Sequence, residues 1–181
     1  MKFQIKLNEA TGQSDAELFG RLSKTVDMLY ASKKEFVTTG NADIIIKNKS
    51  GKLFDKKLRT KLTGTPHECY QNSLKNRINN PELKVAAGIC FSIDMLRHGL
   101  DVLDVDLVED PENTPGFQVF CFDHCWNVDK SNKVIDITLN SSKYIYFGEL
   151  IDLTRYNIDD PSDYAQYSRI QDYIIAKYYK R

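Results

Sequence analysis

The apolar pattern of this chain changes period at Asn80-Pro81, and that change limits the folds open to it. Before it, apolar residues recur at helical spacing. Leu18, Phe19, Leu22, Val26 and Leu29 follow the capping box Ser14-Asp15-Ala16-Glu17, which predicts a helix start. Thr65-Pro66-His67-Glu68 reads as a second capping box with proline at the first helical position, predicting a helix to about Asn79. Beyond Asn80-Pro81 the pattern alternates. Val85, Ala87, Ile89, Phe91 and Ile93 would share one strand face. A strand is expected within 101–108, then a loop from Pro111 to Gly116. Phe117 to Val128 reads as a long strand, and Lys133 to Leu139 as its return.

Elsewhere, residues 2–7 and Asp43 to Lys47 read as strands, and Asn48 to Lys52 as a turn followed by a lysine-rich surface stretch. Asp160-Pro161 with Tyr164, Tyr167, Ile170, Tyr173 and Ile174 predicts a closing C-terminal helix. The expected fold class is therefore α+β: helices first, a mostly antiparallel sheet with a cysteine-bearing helix packed on it, and a last helix. At 181 residues, one domain is expected.

The formal net charge is zero, so no global field argues for nucleic acid or an anionic membrane. The charge is split, however. Residues 1–66 carry 13 Lys/Arg against 7 Asp/Glu, and residues 67–181 carry 12 against 18. Two solvated faces explain this. A sharper reading is a basic lobe around Lys33, Lys34, Lys56, Lys57, Arg59 and Lys61 that meets an acidic partner. The start of the chain alternates like a strand and shows no apolar leader core, and no apolar run approaches bilayer length. Four cysteines without a leader point to free thiols in a reducing cytoplasm.

Three residues could carry chemistry together. Cys69 stands at the start of the second helix, where unpaired N–H groups and the helix dipole favour a thiolate. On its own it reads equally well as a small buried hydrophobe. Alternation along Phe117–Val128 puts His124 in a row with Phe120, Phe122 and Trp126, an unusual place for a ring without partners. Val134, Asp136 and Thr138 share a face of the returning strand. If the hairpin loop is Asp129-Lys130-Ser131, Val128 pairs with Asn132 and His124 lies opposite Asp136, about 5 Å away at Cβ. A loop one residue longer would put the two on opposite faces. The expected site is a Cys69 nucleophile, a His124 base and an Asp136 orienter. The Cys69 N–H would serve an oxyanion hole, with Gln71, Asn72 and Trp126 as candidates for its second donor. Tyr70, Gln71, Asn72 and Trp126 are the expected substrate contacts.

Competing chemistries fit less well. His67, Cys69, Cys121, His124 and Cys125 could offer zinc ligands, but Cys121 and Cys125 alternate away from His124 and no Cys-x-x-Cys knuckle is present. That missing motif also argues against a redox dithiol. Asp101, Asp104 and Asp106 lack the glycine and glutamate of a calcium loop. Neither metal nor cofactor is expected.

Five short elements occur in order: Cys69-Tyr70-Gln71-Asn72, Val85-Ala86-Ala87-Gly88, His124-Cys125-Trp126, Val134-Ile135-Asp136-Ile137-Thr138 and Tyr146-Phe147-Gly148. Together they resemble the papain-like and transglutaminase-like cysteine enzymes, and more closely a group of small bacterial and bacteriophage proteins of that type. The resemblance covers residues 63–150, with 1–62 as an extension packed on that core and 151–181 as the closing helix. It implies a cysteine hydrolase or acyl/amide transferase acting on a protein or peptide-like substrate. Ala87 departs from the pattern, since a glutamate is expected before the glycine. That departure, with the split charge, leaves open a binding module of the same fold, such as a phage protein in the host cytoplasm sequestering a host protein or a nucleotide signal.

Overall fold

The computed structural model describes residues 14–31, 51–57, 60–98, 100, 120–156 and 164–178. The strands expected at 2–7, 43–47 and 101–108 and the loop at 111–116 lie outside them. Helix α1 (Asp15–Ala31) is followed by strand β1 (Lys52–Phe54), helix α2 (Cys69–Asn79) and strand β2 (Lys84–Ser92). Strands β3 (Cys121–Val128), β4 (Val134–Ile135) and β5 (Tyr144–Leu150) and helix α3 (Tyr164–Tyr178) follow. Residues 93–98 are helical, so Ile93 leaves the strand face expected to hold it with Val85, Ala87, Ile89 and Phe91. The fold is α+β, and among the described residues five strands form one sheet in the order β1-β5-β2-β3-β4, with each pair of these strands antiparallel.

The capping box at α1 forms as expected. Ser14 N donates to Glu17 Oε2 (2.6 Å), and Glu17 N donates to Ser14 Oγ (3.3 Å). Leu18 and Leu22 are then fully buried, each contributing about 1.5–3 kcal/mol of transfer free energy. The second expected box does not form. Pro66 and His67 make a turn, His67 adopts φ 66°, and α2 begins only at Cys69, with no side-chain cap from Glu68. Asn72 takes over that role from inside the helix, clamping both backbone groups of Thr65. The turn expected at 48–52 also needs correction, because Lys52 opens β1 and Phe54 is buried.

The sheet curls until its edges meet. Val134 N donates to Asp55 O (2.7 Å) and Lys57 N to Val134 O (3.3 Å), joining the segment after β1 to β4. Two apolar layers result. Inside the curl lie Phe54, Ala86, Cys90, Trp126, Val128, Val134 and Tyr146. On the outer face, Val85, Ala87, Ile89 and Phe91 pack under the helices with Leu74, Tyr167, Ile170 and Ile174. With both faces covered, β2 is buried along almost its whole length. Residues before 63 thus supply a helix and a strand to one shared core. Lys56 pairs with Asp15 (2.8 Å) and also donates to Tyr144 O (3.1 Å). Lys33, Lys34 and Arg59 fall outside the described residues.

The tightest point of the curl is a glycine pair, Gly88 opposite Gly148. A Cβ on Gly88 would lie 2.5 Å from the Gly148 Cα, and one on Gly148 would lie 2.8 Å from the Gly88 Cα. Neither backbone can retreat without opening the ladder. Gly88→Ala should therefore lower unfolding free energy by at least about 2 kcal/mol. Gly20→Ala, in α1 with nothing within 4 Å of its Cβ, should raise it by about 0.5–1 kcal/mol. Urea denaturation of both variants checks the contrast.

Candidate active site

Cys69 is the first residue of α2 and half-buried; β3 brings His124 to it, and the segment just after β4 brings Asp136. The hairpin after β3 differs from the expected register. Asp129 Oδ1 accepts from Ser131 N (2.8 Å) and Lys133 N (3.0 Å), and Asn132 turns left-handed at φ 58°. The loop thus runs through Lys133, and Val128 pairs with Val134, not Asn132. The shift is two residues, so every side chain keeps its face. The return strand expected from Lys133 to Leu139 is only Val134–Ile135, and Asp136 follows its end, diagonal to His124 and not directly across. The pair still closes, with His124 Nε2 2.6 Å from Asp136 Oδ2. A carboxylate can only accept, so the ring donates.

Asp136 is 1% exposed and accepts four hydrogen bonds. Oδ2 takes the His124 ring and the Tyr146 hydroxyl (2.7 Å), and Oδ1 takes Thr138 N (2.8 Å) and Leu139 N (3.0 Å). Burial alone would raise its pKa. The His124 hydrogen bond and charge, helped by Leu139 N–H and Tyr146 OH, outweigh burial and hold the carboxyl below the usual range. Burial and the nearby charges push the Tyr146 phenol far up, so it stays a donor. Burial likewise opposes a charge on His124. Its hydrogen bonds to Asp136 and Cys69, and their negative charges, push its pKa up to about 9. A protonated ring donates from both nitrogens, which leaves Nδ1 for Cys69.

Around this pair the inner layer is aromatic. Trp126 stacks parallel to His124 (6.1 Å between centroids), and Phe122 and Tyr146 flank the ring. A cleft of about 510 Å³ opens beside them. Its walls include Cys69, Tyr70, Gln71, Asp123, His124 and Tyr167. Among the cysteines, burial pushes the Cys90 and Cys125 thiols up. Cys121 is half-buried and does not line the cleft. Among the described residues, no three His, Cys, Asp or Glu side chains converge as a metal site. No helix among them is long and apolar enough to cross a membrane.

The structure brings Cys69, His124 and Asp136 together and divides the other expected contacts. Tyr70 and Gln71 line the cleft. Asn72 does not: its amide is occupied by Thr65 N, Thr65 O and Thr138 Oγ1. Trp126 is fully buried, stacked on His124, and does not line this cleft. Ala87 is buried in the outer layer, so a glutamate there would lie under the helices and outside the cleft. Two residues had no role assigned from the sequence. Tyr146, present there only as the first residue of the fifth short element, bonds the orienting carboxylate. Asp123 lines the cleft beside His124, and its signal was only adjacency.

The raised His124 pKa adds stability that is complete below its ordinary 6.5 and is lost as pH rises through about 9. The lowered Asp136 pKa adds stability present above its ordinary 3.8 and lost as pH falls. Unfolding free energy of the parent should therefore drop by on the order of 3 kcal/mol from about pH 6.5 to above about pH 9. Asp136→Asn should flatten that slope, as read by denaturant melts of the two proteins across the window.

Comparison of the chain with protein-family models, with curated proteins and with solved structures gives no match.

Proposed function

We propose that this protein is a cysteine-dependent hydrolase or acyl/amide transferase with a Cys69–His124–Asp136 triad, arranged as in papain-like and transglutaminase-like enzymes. The observation that carries the reading is the buried 2.6 Å His124–Asp136 pair beside a cysteine that opens a helix on a cleft. A buried charged pair is costly to maintain, and a purely structural role does not require its second ring nitrogen to face a thiol.

In this reading the Cys69 thiolate attacks an amide, ester or thioester carbonyl carbon. The carbonyl π pair moves to oxygen, and the resulting oxyanion is met by the Cys69 N–H at the start of α2. Gln71 is the second donor. Its side chain lines the cleft and bonds no described residue, whereas the Asn72 amide is occupied and the Trp126 ring is buried. His124 gives its proton to the leaving amine, alcohol or thiol as the carbon–heteroatom bond breaks. It then takes a proton from the water or amine that attacks the acyl-enzyme. Asp136 holds the ring so that Nδ1 stays aimed at sulfur. No metal or cofactor takes part in these steps.

Site-resolved alkylation tests this. With iodoacetamide near pH 6, Cys69 should react at least about tenfold faster than Cys121, and His124→Ala should erase the advantage. Equal rates at both cysteines, or an advantage that survives His124→Ala, would turn the reading toward a binding module, whose activity in cells Cys69→Ala would leave intact.

A further inference from the structure

Asp123 precedes His124 on β3 and alternates to the other side of the strand. Its Oδ2 accepts from Tyr70 OH (3.1 Å) on α2 and Gln171 Nε2 (3.0 Å) on α3. Both donors are neutral, and both engage the same oxygen. Oδ1 receives no hydrogen bond from any described residue, and the side chain is only half-buried. The carboxylate is thus held in one orientation, with one oxygen left for something else.

The cleft around it is acidic. Glu68 and Asp123 both line it, and among the described residues no Lys or Arg does. The basic side chains on the cleft walls are two histidines: His124, engaged with Asp136, and His67, exposed on the turn before α2. Residues 67–181, which supply nearly all the lining, carry 12 Lys/Arg against 18 Asp/Glu. The aromatic walls Tyr70, Phe122 and Tyr167 suit the stem of a long cationic side chain, and their π faces attract its head. Elsewhere the chain satisfies its partly buried carboxylates with its own cations, as Glu149 does with Lys177 and Asp15 with Lys56. Asp123 is the carboxylate in this cleft fixed by neutral donors alone.

We infer that Asp123 is a specificity-determining residue that receives an ammonium or guanidinium group of the substrate. The substrate class is then a peptide-like chain bearing a lysine- or arginine-type side chain beside the carbonyl attacked by Cys69. This rests on the reading of Cys69 as the nucleophile. It adds to that reading a cation site with two parts, the free Asp123 oxygen and the aromatic walls.

Two peptidyl chloromethyl ketones test it, one with lysine beside the ketone and one with norleucine, which keeps the stem and removes the charge. Cys69 sulfur displaces chloride in each, forming a thioether, and intact mass gives the rate. The parent should label at least about tenfold faster with the lysine probe, and the ratio should shrink at high salt. Asp123→Asn keeps acceptor and shape, and should bring the ratio close to one. A parent ratio near one overturns the inference without any variant. A lysine preference unchanged in Asp123→Asn overturns it as well. Iodoacetamide on the parent separates the two ideas. Selective Cys69 alkylation without a lysine preference removes only the cation site, and a Cys69 inert to all three reagents removes both.

Discussion

The hydrogen-bonded pair of His124 and Asp136 is the constraint around which the described structure is organised. Both side chains are almost completely buried, so neither can be left charged and alone. Removing one partner of such a pair typically costs about 3–5 kcal/mol, because the survivor keeps its desolvation penalty. The four donors on Asp136 come from three parts of the chain: β3 through His124, the segment after β4 through Thr138 and Leu139, and β5 through Tyr146. Thr138 also accepts from Asn72 on α2. The start of the cysteine-bearing helix is thereby tied to the carboxylate through one side chain.

Closure of the sheet makes this arrangement possible. A five-stranded sheet with open edges would leave His124 on a wet face near the margin. Joining the segment after β1 to β4 encloses the inner layer in aromatic rings. In that layer the histidine is isolated from water, and its environment is set by Asp136, Cys69 and ring faces. The Gly88–Gly148 approach gives β2 and β5 the curvature the closure needs. Helices α2 and α3 cover the outer layer and form the cleft walls, so one piece of backbone separates a dry orienting core from an accessible nucleophile.

Much of this was legible in the residues, for identifiable reasons. Parity along a strand is robust, so the alternation through His124 and the expectation that Asp136 shares its face survived a two-residue error in register. Register depends on the loop, and the Asp129 side chain that stretches it to Lys133 is a local device the hydrophobic pattern does not encode. The Ser14–Glu17 box formed from reciprocal bonds between its own two ends. At Thr65–Glu68 a competing acceptor and donor, the Asn72 amide, captured the Thr65 backbone, and a left-handed His67 delayed the helix to Cys69. Strand β1 was hidden because three residues in a lysine-rich stretch carry no measurable period. Asp123 and Tyr146 stayed invisible as functional residues because their roles come from contacts across sequence separations of 10 to 53 residues.

The charge state of the His124 ring reports directly on its pairing with Asp136 and Cys69. The chain has three histidines, so ¹⁵N-edited NMR of the ring nitrogens, assigned by the signal lost in His124→Gln, can follow this one from about pH 6 to about pH 10. Both nitrogens should be protonated at neutral pH, with loss of a proton only as pH passes about 9. A ring that is neutral at pH 7, or that titrates near its ordinary 6.5, would contradict that pairing.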